Sequence, residues 1–218
     1  MAARRTEPSR TTRRNRMTSA ADFVPPHAGL SGLRRAARDC HGCPLYRFAE
    51  QTVFGEGRAD SDIVMVGEQP GDREDRQGHP FVGPAGRLLD RALAEAGIGR
   101  DQVYLTNAVK HFKFTRRGKR RIHQQPNRTE VVACAPWFEA EVEAIRPRLV
   151  VCLGRIAAQS ILGPDFRVTA ERGRFIPHAG YLVLTTVHPA SVLRSPDREH
   201  AYAEFVEDLK RITPKMAD

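Results

Sequence analysis

No stretch of this 218-residue chain is apolar for long enough to cross a bilayer, so a helical membrane span is not expected. The first residues also lack the apolar centre of a secretory leader. Arg-rich polar sequence runs directly into Ala/Pro-rich sequence, and a cytoplasmic protein is expected. Cysteine is scarce, with four in the chain. Four thiols in a cytoplasmic protein point to a metal site rather than to disulfides. The composition, 40% hydrophobic and 28% charged, excludes collagen-like, mucin-like and wholly disordered chains.

Acid is the charge in short supply. Against 35 Lys and Arg stand 26 Asp and Glu, a net charge of +9. Residues 1–16 hold six arginines and one acid. Residues 110–121 hold seven cations (Lys110, Lys113, Arg116, Arg117, Lys119, Arg120, Arg121) and no acid. A basic segment inside a globular chain points to an anionic partner, most often nucleic acid. Taken alone, such a run is more commonly a solvated loop.

Residues 1–28, with Pro25 and Pro26, read as a basic mobile tail, and residues 29–218 as a single domain. A helix is expected over Ser31–Asp39 and strands over residues 62–67, 103–106, 149–153 and 181–186. Between and after the strands lie helices over residues 84–96, from Arg128 to before Pro147, after Gly154 to Leu162, and over residues 197–212. Pro84 suits a first helical position, and Asn127-Arg128-Thr129-Glu130 has capping-box spacing. Alternating strands and helices imply an α/β fold, a three-layer α/β/α sandwich around a four-stranded parallel sheet. In such sheets ligands bind beyond the carboxyl ends of the strands. Those ends are chemically marked here: Glu68-Gln69-Pro70-Gly71, then Asn107, then Gly154, then His188-Pro189.

Cys40-His41-Gly42-Cys43 is a C-x2-C pair, and Cys134 and Cys152 are separated by 17 residues. Four thiolates can close a zinc site or hold an iron–sulfur cluster, and spacing alone does not choose between them. Cys134 in a helix and Cys152 in a strand also fit buried small hydrophobes.

Gly67-Glu68-Gln69-Pro70-Gly71, the segment Gly78 to Gly86 (GHPFVGPAG), Asn107 and His188-Pro189 together resemble the uracil-DNA glycosylase superfamily. The four cysteines resemble its iron–sulfur branch, family 4. Lys119-Arg120-Arg121-Ile122-His123 resembles the signature of the UdgX type, whose members excise uracil and become covalently attached to DNA. The resemblance runs from about Leu30 to Ile212. It implies a 4Fe-4S cluster on Cys40, Cys43, Cys134 and Cys152, with zinc as the alternative. It also implies a monomer whose partner is uracil-containing DNA, preferably single-stranded.

The chemistry can be followed residue by residue. Base excision needs the nucleotide out of the stack, a platform for the ring, and stabilisation of a cation-like sugar and a departing uracil anion. Phe81 matches the platform; alone it reads as a core aromatic. Asn107 carries the donor and acceptor that uracil O4 and N3 require; alone it reads as a strand-end cap. His188 would donate to the oxygen that gathers charge, in the manner of an oxyanion hole, or simply form a turn. Glu68 would face the sugar cation, or cap the turn made by Pro70 and Gly71. Gly67, Gln69, Pro70, Gly71 and Asp72 complete the substrate loop, with Gln69 expected to hold the basic loop over the pocket. Lys110, Lys113, Arg116, Arg117, Lys119, Arg120, Arg121 and Ser191 are expected to contact the DNA backbone, with Arg121 holding the loop as its alternative. His123 would attack the sugar, its imidazole assisted by a carboxylate; alone it reads as one more loop residue. Three readings follow: a self-cross-linking uracil-DNA glycosylase, an ordinary one that releases an abasic site, or a metal-containing nucleic-acid-binding module without catalysis.

Overall fold

The computed structural model describes residues 19–217. Its elements in chain order are α1 (Leu30–Ala37), β1 (Ile63–Gly67), α2 (Asp72–Gln77), α3 (Pro84–Glu95), β2 (Val103–Asn107), β3 (Phe114–Arg117), β4 (Arg120–His123), α4 (Arg128–Ile145), β5 (Leu149–Leu153), α5 (Arg155–Leu162), α6 (Val168–Glu171), β6 (Phe175–His178), β7 (Tyr181–Thr186), α7 (Pro189–Arg194), α8 (Arg198–Lys210) and α9 (Ile212–Ala217). The main sheet runs β2-β1-β5-β7-β6. Its first four strands are parallel, in register Gly67 with Asn107, Val66 with Cys152 and Cys152 with Thr185.

Side-chain alternation explains the three layers. Along β1, Ile63 and Met65 enter one core with Leu88, Leu89, Leu93, Phe205 and Leu209 of α3 and α8. Val64 and Val66 enter the other, with Phe138, Ala157 and Ala158 of α4 and α5. Both faces are covered, so β1, β2 and β5 are buried along their whole length. The Asn127 capping box forms as its spacing implies: its side chain accepts from Glu130 N, and Glu130 Oε2 accepts from Asn127 N.

Three expectations change. The sheet has a fifth strand: β6 pairs antiparallel with β7 at the edge, through a turn in which Ala179 and Gly180 both have positive φ. Pro177 within β6 is compatible with an edge strand only, which is why the segment does not read as a strand. The basic loop is a hairpin, with Phe114 opposite His123 and Arg116 opposite Arg121. Gly118 turns it with φ 58°. Thirdly, residues 19–28 are not part of a free tail. Ala20 is buried in a third apolar cluster with Leu33, Trp137 and three of the cysteines. Residues 1–18 lie outside the described residues.

Candidate active site

The carboxyl ends of β1, β2 and β7 open into a cavity of about 760 Å³, lined among others by Glu68, Gln69, Gly71, Asp72, Phe81, Asn107, His123 and His188. Two glycines make this convergence possible. A Cβ on Gly67 would come within 2.5 Å of Asn107 Oδ1 and 2.7 Å of the Phe81 ring. Gly154, at φ 93°, leaves room for His188, which its Cβ would meet at 2.9 Å. Phe81 itself takes φ 58° and is buried, its ring 6.5 Å from that of His188 and inclined by 27°.

Asn107 ends β2 and is 3% exposed. Among the described residues its side-chain amide has no hydrogen-bond partner, so donor and acceptor are both available to a ligand. His188 caps α7 and accepts through Nδ1 from Ala190 N at 3.1 Å. That bond places the ring proton on Nε2, which is therefore a donor. Burial, with the Arg194 and His123 charges, pushes its pKa down to about 4, so it is a neutral donor at neutral pH.

Glu68 Oε1 is buried without a hydrogen-bond partner and lies 3.6 Å from His123 Nε2. His123 reaches this place because the hairpin is pinned from both sides. Gln69 Oε1 accepts from Lys113 N, and its amide nitrogen lies 3.3 Å from Lys113 O, 2.9 Å from Gln124 O and 2.9 Å from His123 Nε2. Arg121, two residues before His123 and so on the same face of β4, enters a cage of Glu50, Asp72 and Asp75. Burial and the Arg194 charge lower the His123 pKa against the pull of Glu68. Gly67 and Pro70 shape the loop, and Gly71 caps α2.

The basic run is only partly a surface. Lys110 is fully buried: its ammonium is 2.6 Å from Glu141 Oε2, so it is no backbone contact for DNA. Arg121, with its side chain 2% exposed, is likewise spent on carboxylates. Lys113 pairs with Glu130 at 2.8 Å. Arg116, Arg117, Lys119 and Arg120 are exposed. Ser191 is exposed, its hydroxyl donating to His188 O. Asp72 lines the cavity while paired with Arg121 and Arg76.

Three of the four cysteines gather. Cys40, Cys43 and Cys134 share one cluster; burial raises the pKa of Cys43 and Cys134, and charge on Cys40, with Cys43 for Cys134, raises them further. Trp137 Nε1 donates to Cys40 Sγ at 3.1 Å and Lys110 N to Cys134 Sγ at 3.3 Å. Such N–H donors suit sulfurs that carry negative charge, as metal-bound thiolates do. Cys152 is elsewhere: it sits mid-strand in β5, in the core with Val64, Val66 and Phe138. The residue that sequence reasoning passed over is His111, buried next to Lys110. Thr52 Oγ1, 2.9 Å from His111 Nε2, donates to Ala37 O and so accepts the imidazole proton. Nδ1 is left with its lone pair. The signal was a lone histidine between buried Val109 and Phe112. Among the described residues no three His, Cys, Asp or Glu side chains stand close enough to hold a single metal ion. Arg73 and Arg194, both exposed on the cavity rim, were also unforeseen.

The family model of the uracil DNA glycosylase superfamily matches residues 54–210. The type-4 uracil-DNA glycosylase of Thermotoga maritima is 39% identical over 182 residues, 82% of this chain and 91% of its own. That of Sulfurisphaera tokodaii is 34% identical over 197 residues, covering 85% and 86%. That of Saccharolobus solfataricus is 37% identical over 183 residues, covering 79% and 81%. The matched region contains the whole constellation of Glu68, Phe81, Asn107, His123 and His188, and the chain belongs to the uracil DNA glycosylase superfamily.

Proposed function

We propose that the protein removes uracil from DNA, preferably single-stranded, and then joins His123 to C1′ of the emptied deoxyribose. The type-4 relatives support the excision. The attachment rests on one observation: Gln69 and Arg121 hold the hairpin so that the His123 imidazole stands 3.6 Å from Glu68.

In this reading an extruded uracil lies against Phe81 with its O4 and N3 edge on the open amide of Asn107. Cytosine presents the reversed pattern and is refused. The C1′–N1 bond breaks with its electron pair leaving on uracil, and His188 Nε2–H donates to the oxygen that gathers the charge. Glu68 faces the sugar cation. An imidazole nitrogen of His123 then forms the new bond to C1′, and the ring proton is lost with Glu68 as the nearest base. Because partial burial and the Arg194 charge lower the pKa of the half-exposed His123, its lone pair persists to lower pH than an ordinary histidine allows. The resulting N-glycosyl imidazole has a poor leaving group, so turnover stops there.

An end-labelled single-stranded oligonucleotide with one uracil is mixed with the protein, boiled in detergent and run on a denaturing gel. The label should shift to the mass of protein plus DNA, and should not with thymine in place of uracil. His123→Ala should instead release an abasic product that breaks in alkali. A covalent product that survives in His123→Ala would overturn this assignment. Wild-type protein giving only the alkali-labile product would leave the ordinary glycosylase that the relatives' names describe.

The same reading gives the chain a structural iron–sulfur cluster rather than zinc, since among the described residues no three His, Cys, Asp or Glu side chains stand close enough for a single ion. The donors that fit are Cys40, Cys43, Cys134 and the free Nδ1 of His111, in place of Cys152. When bound, the group would tie the Cys40 segment to α4 and to the strand exit after β2. Iron content and visible absorbance of the purified protein test this. Cys152→Ser should keep both and His111→Ala should lower them; the opposite result would restore Cys152 to the set.

A further inference from the structure

Beneath the floor of the cavity lies an ion pair sealed from water. Lys110 and Glu141 have side chains 0% exposed, with Nζ 2.6 Å from Oε2. The ammonium has three protons and three acceptors: Glu141 Oε2, Thr106 Oγ1 at 2.6 Å and the backbone oxygen of Asn107 at 2.9 Å. Glu141 in turn accepts from Gly55 N, Tyr104 OH and Thr106 Oγ1.

A buried pair of this kind is a poor source of stability. Removing two charges from water costs about as much as their attraction returns, and apolar replacements are often as stable or more so. Its geometry shows a different use. The Asn107 side chain has no hydrogen bond of its own within the described residues, so its direction depends on its backbone. That backbone is held by the β1 register and by the Lys110 ammonium. The missing Cβ of Gly67 lets the Asn107 side chain pack close against β1. The Lys110 backbone is itself fixed, its N–H on Cys134 Sγ and its oxygen accepting from Val53 N.

We infer that Lys110 and Glu141 are a positioning pair whose role is to hold Asn107 in the orientation that reads the base. The inference rests on the base-reading role of Asn107 proposed above. Its effect is on selection and excision of uracil, not on affinity for DNA as such.

The test uses the full chain with Lys110→Met/Glu141→Gln, a neutral pair that leaves no charge buried. Three quantities are compared with wild type in protein shown to be folded by circular dichroism. They are uracil release under single turnover, inhibition by free uracil, and binding of a uracil-free oligonucleotide. Release should slow tenfold or more and inhibition by free uracil should weaken by a similar factor, while binding of the uracil-free strand stays unchanged. Wild-type release and inhibition in the folded variant would overturn the inference, leaving the pair a purely structural one. Should the variant not fold, the wild-type protein supplies the readout. With ¹⁵N-lysine, the Lys110 ammonium signal should move on addition of free uracil, and an unmoved signal would overturn the inference. Asn107→Asp separates the two levels. If it releases uracil at the wild-type rate, the base-reading role fails and the inference with it; if it loses release while the Lys110 variant does not, only the inference fails.

Discussion

The two ends of the basic run and its middle have opposite fates. Lys110 and Arg121 are withdrawn from water and meet carboxylates: Glu141 at one end, and Glu50, Asp72 and Asp75 at the other. Arg116, Arg117, Lys119 and Arg120, between them, extend along an exposed hairpin. The acids that neutralise Arg121 lie 46 to 71 residues before it and the one that neutralises Lys110 lies 31 after it, so a local count of charge cannot register them. A run that reads as one electrostatic patch is two structural anchors around an exposed, charged surface. The anchors give the hairpin its place, and the middle leaves its charge in water. His123 follows Arg121 by two residues and inherits its position from that anchor.

The largest difference between the regions should appear in stability. Arg121→Met leaves Asp75, fully buried, with no counter-charge. Breaking a buried pair by removing one partner costs about 3–5 kcal/mol. Urea unfolding should show a loss of that order, together with reduced attachment of His123 to the DNA. An Arg121→Met protein as stable as wild type would mean that the acid cage opens to solvent without cost, and the anchor role would fall.

The strand-and-helix order was legible because β1, β2, β5 and β7 are short apolar runs between amphipathic helices, and the strand exits carried the residues that line the cavity. The hairpin was not, since Phe114-Thr115-Arg116-Arg117 has no apolar alternation to mark a half-buried strand; its pairing is set by Gln69 and Arg121. Cys152 was misplaced for a related reason. Spacing along the chain says nothing of which face of β5 a side chain takes, and Cys152 points into the core shared with Val66 rather than toward Cys134. His111 carries the reverse lesson. It belongs to no spacing motif, and only the Thr52 hydrogen bond shows which of its nitrogens is free.

The smallest effect on folding and the sharpest on binding belong to the middle of the run. Replacing Arg116, Arg117, Lys119 and Arg120 together by Gln removes no ion pair, because among the described residues none of the four has one. Arg116 does lie over the Phe114 ring, 5.6 Å from its centroid. Exposed substitutions of this kind shift stability by about 0.5 kcal/mol or less each. Binding responds differently. Each phosphate neutralised on a single strand contributes about 0.7 to the slope of log K against log salt, so four lost contacts should flatten it by up to about 3. The attachment reaction, measured with DNA at saturation, should proceed as in wild type, since Gln69 and Arg121 hold His123 and neither is changed. An unchanged slope would show that the strand does not track the hairpin. A flattened slope with slowed attachment at saturation would show that these cations also orient the sugar, and the division between anchor and surface would move inward along the hairpin.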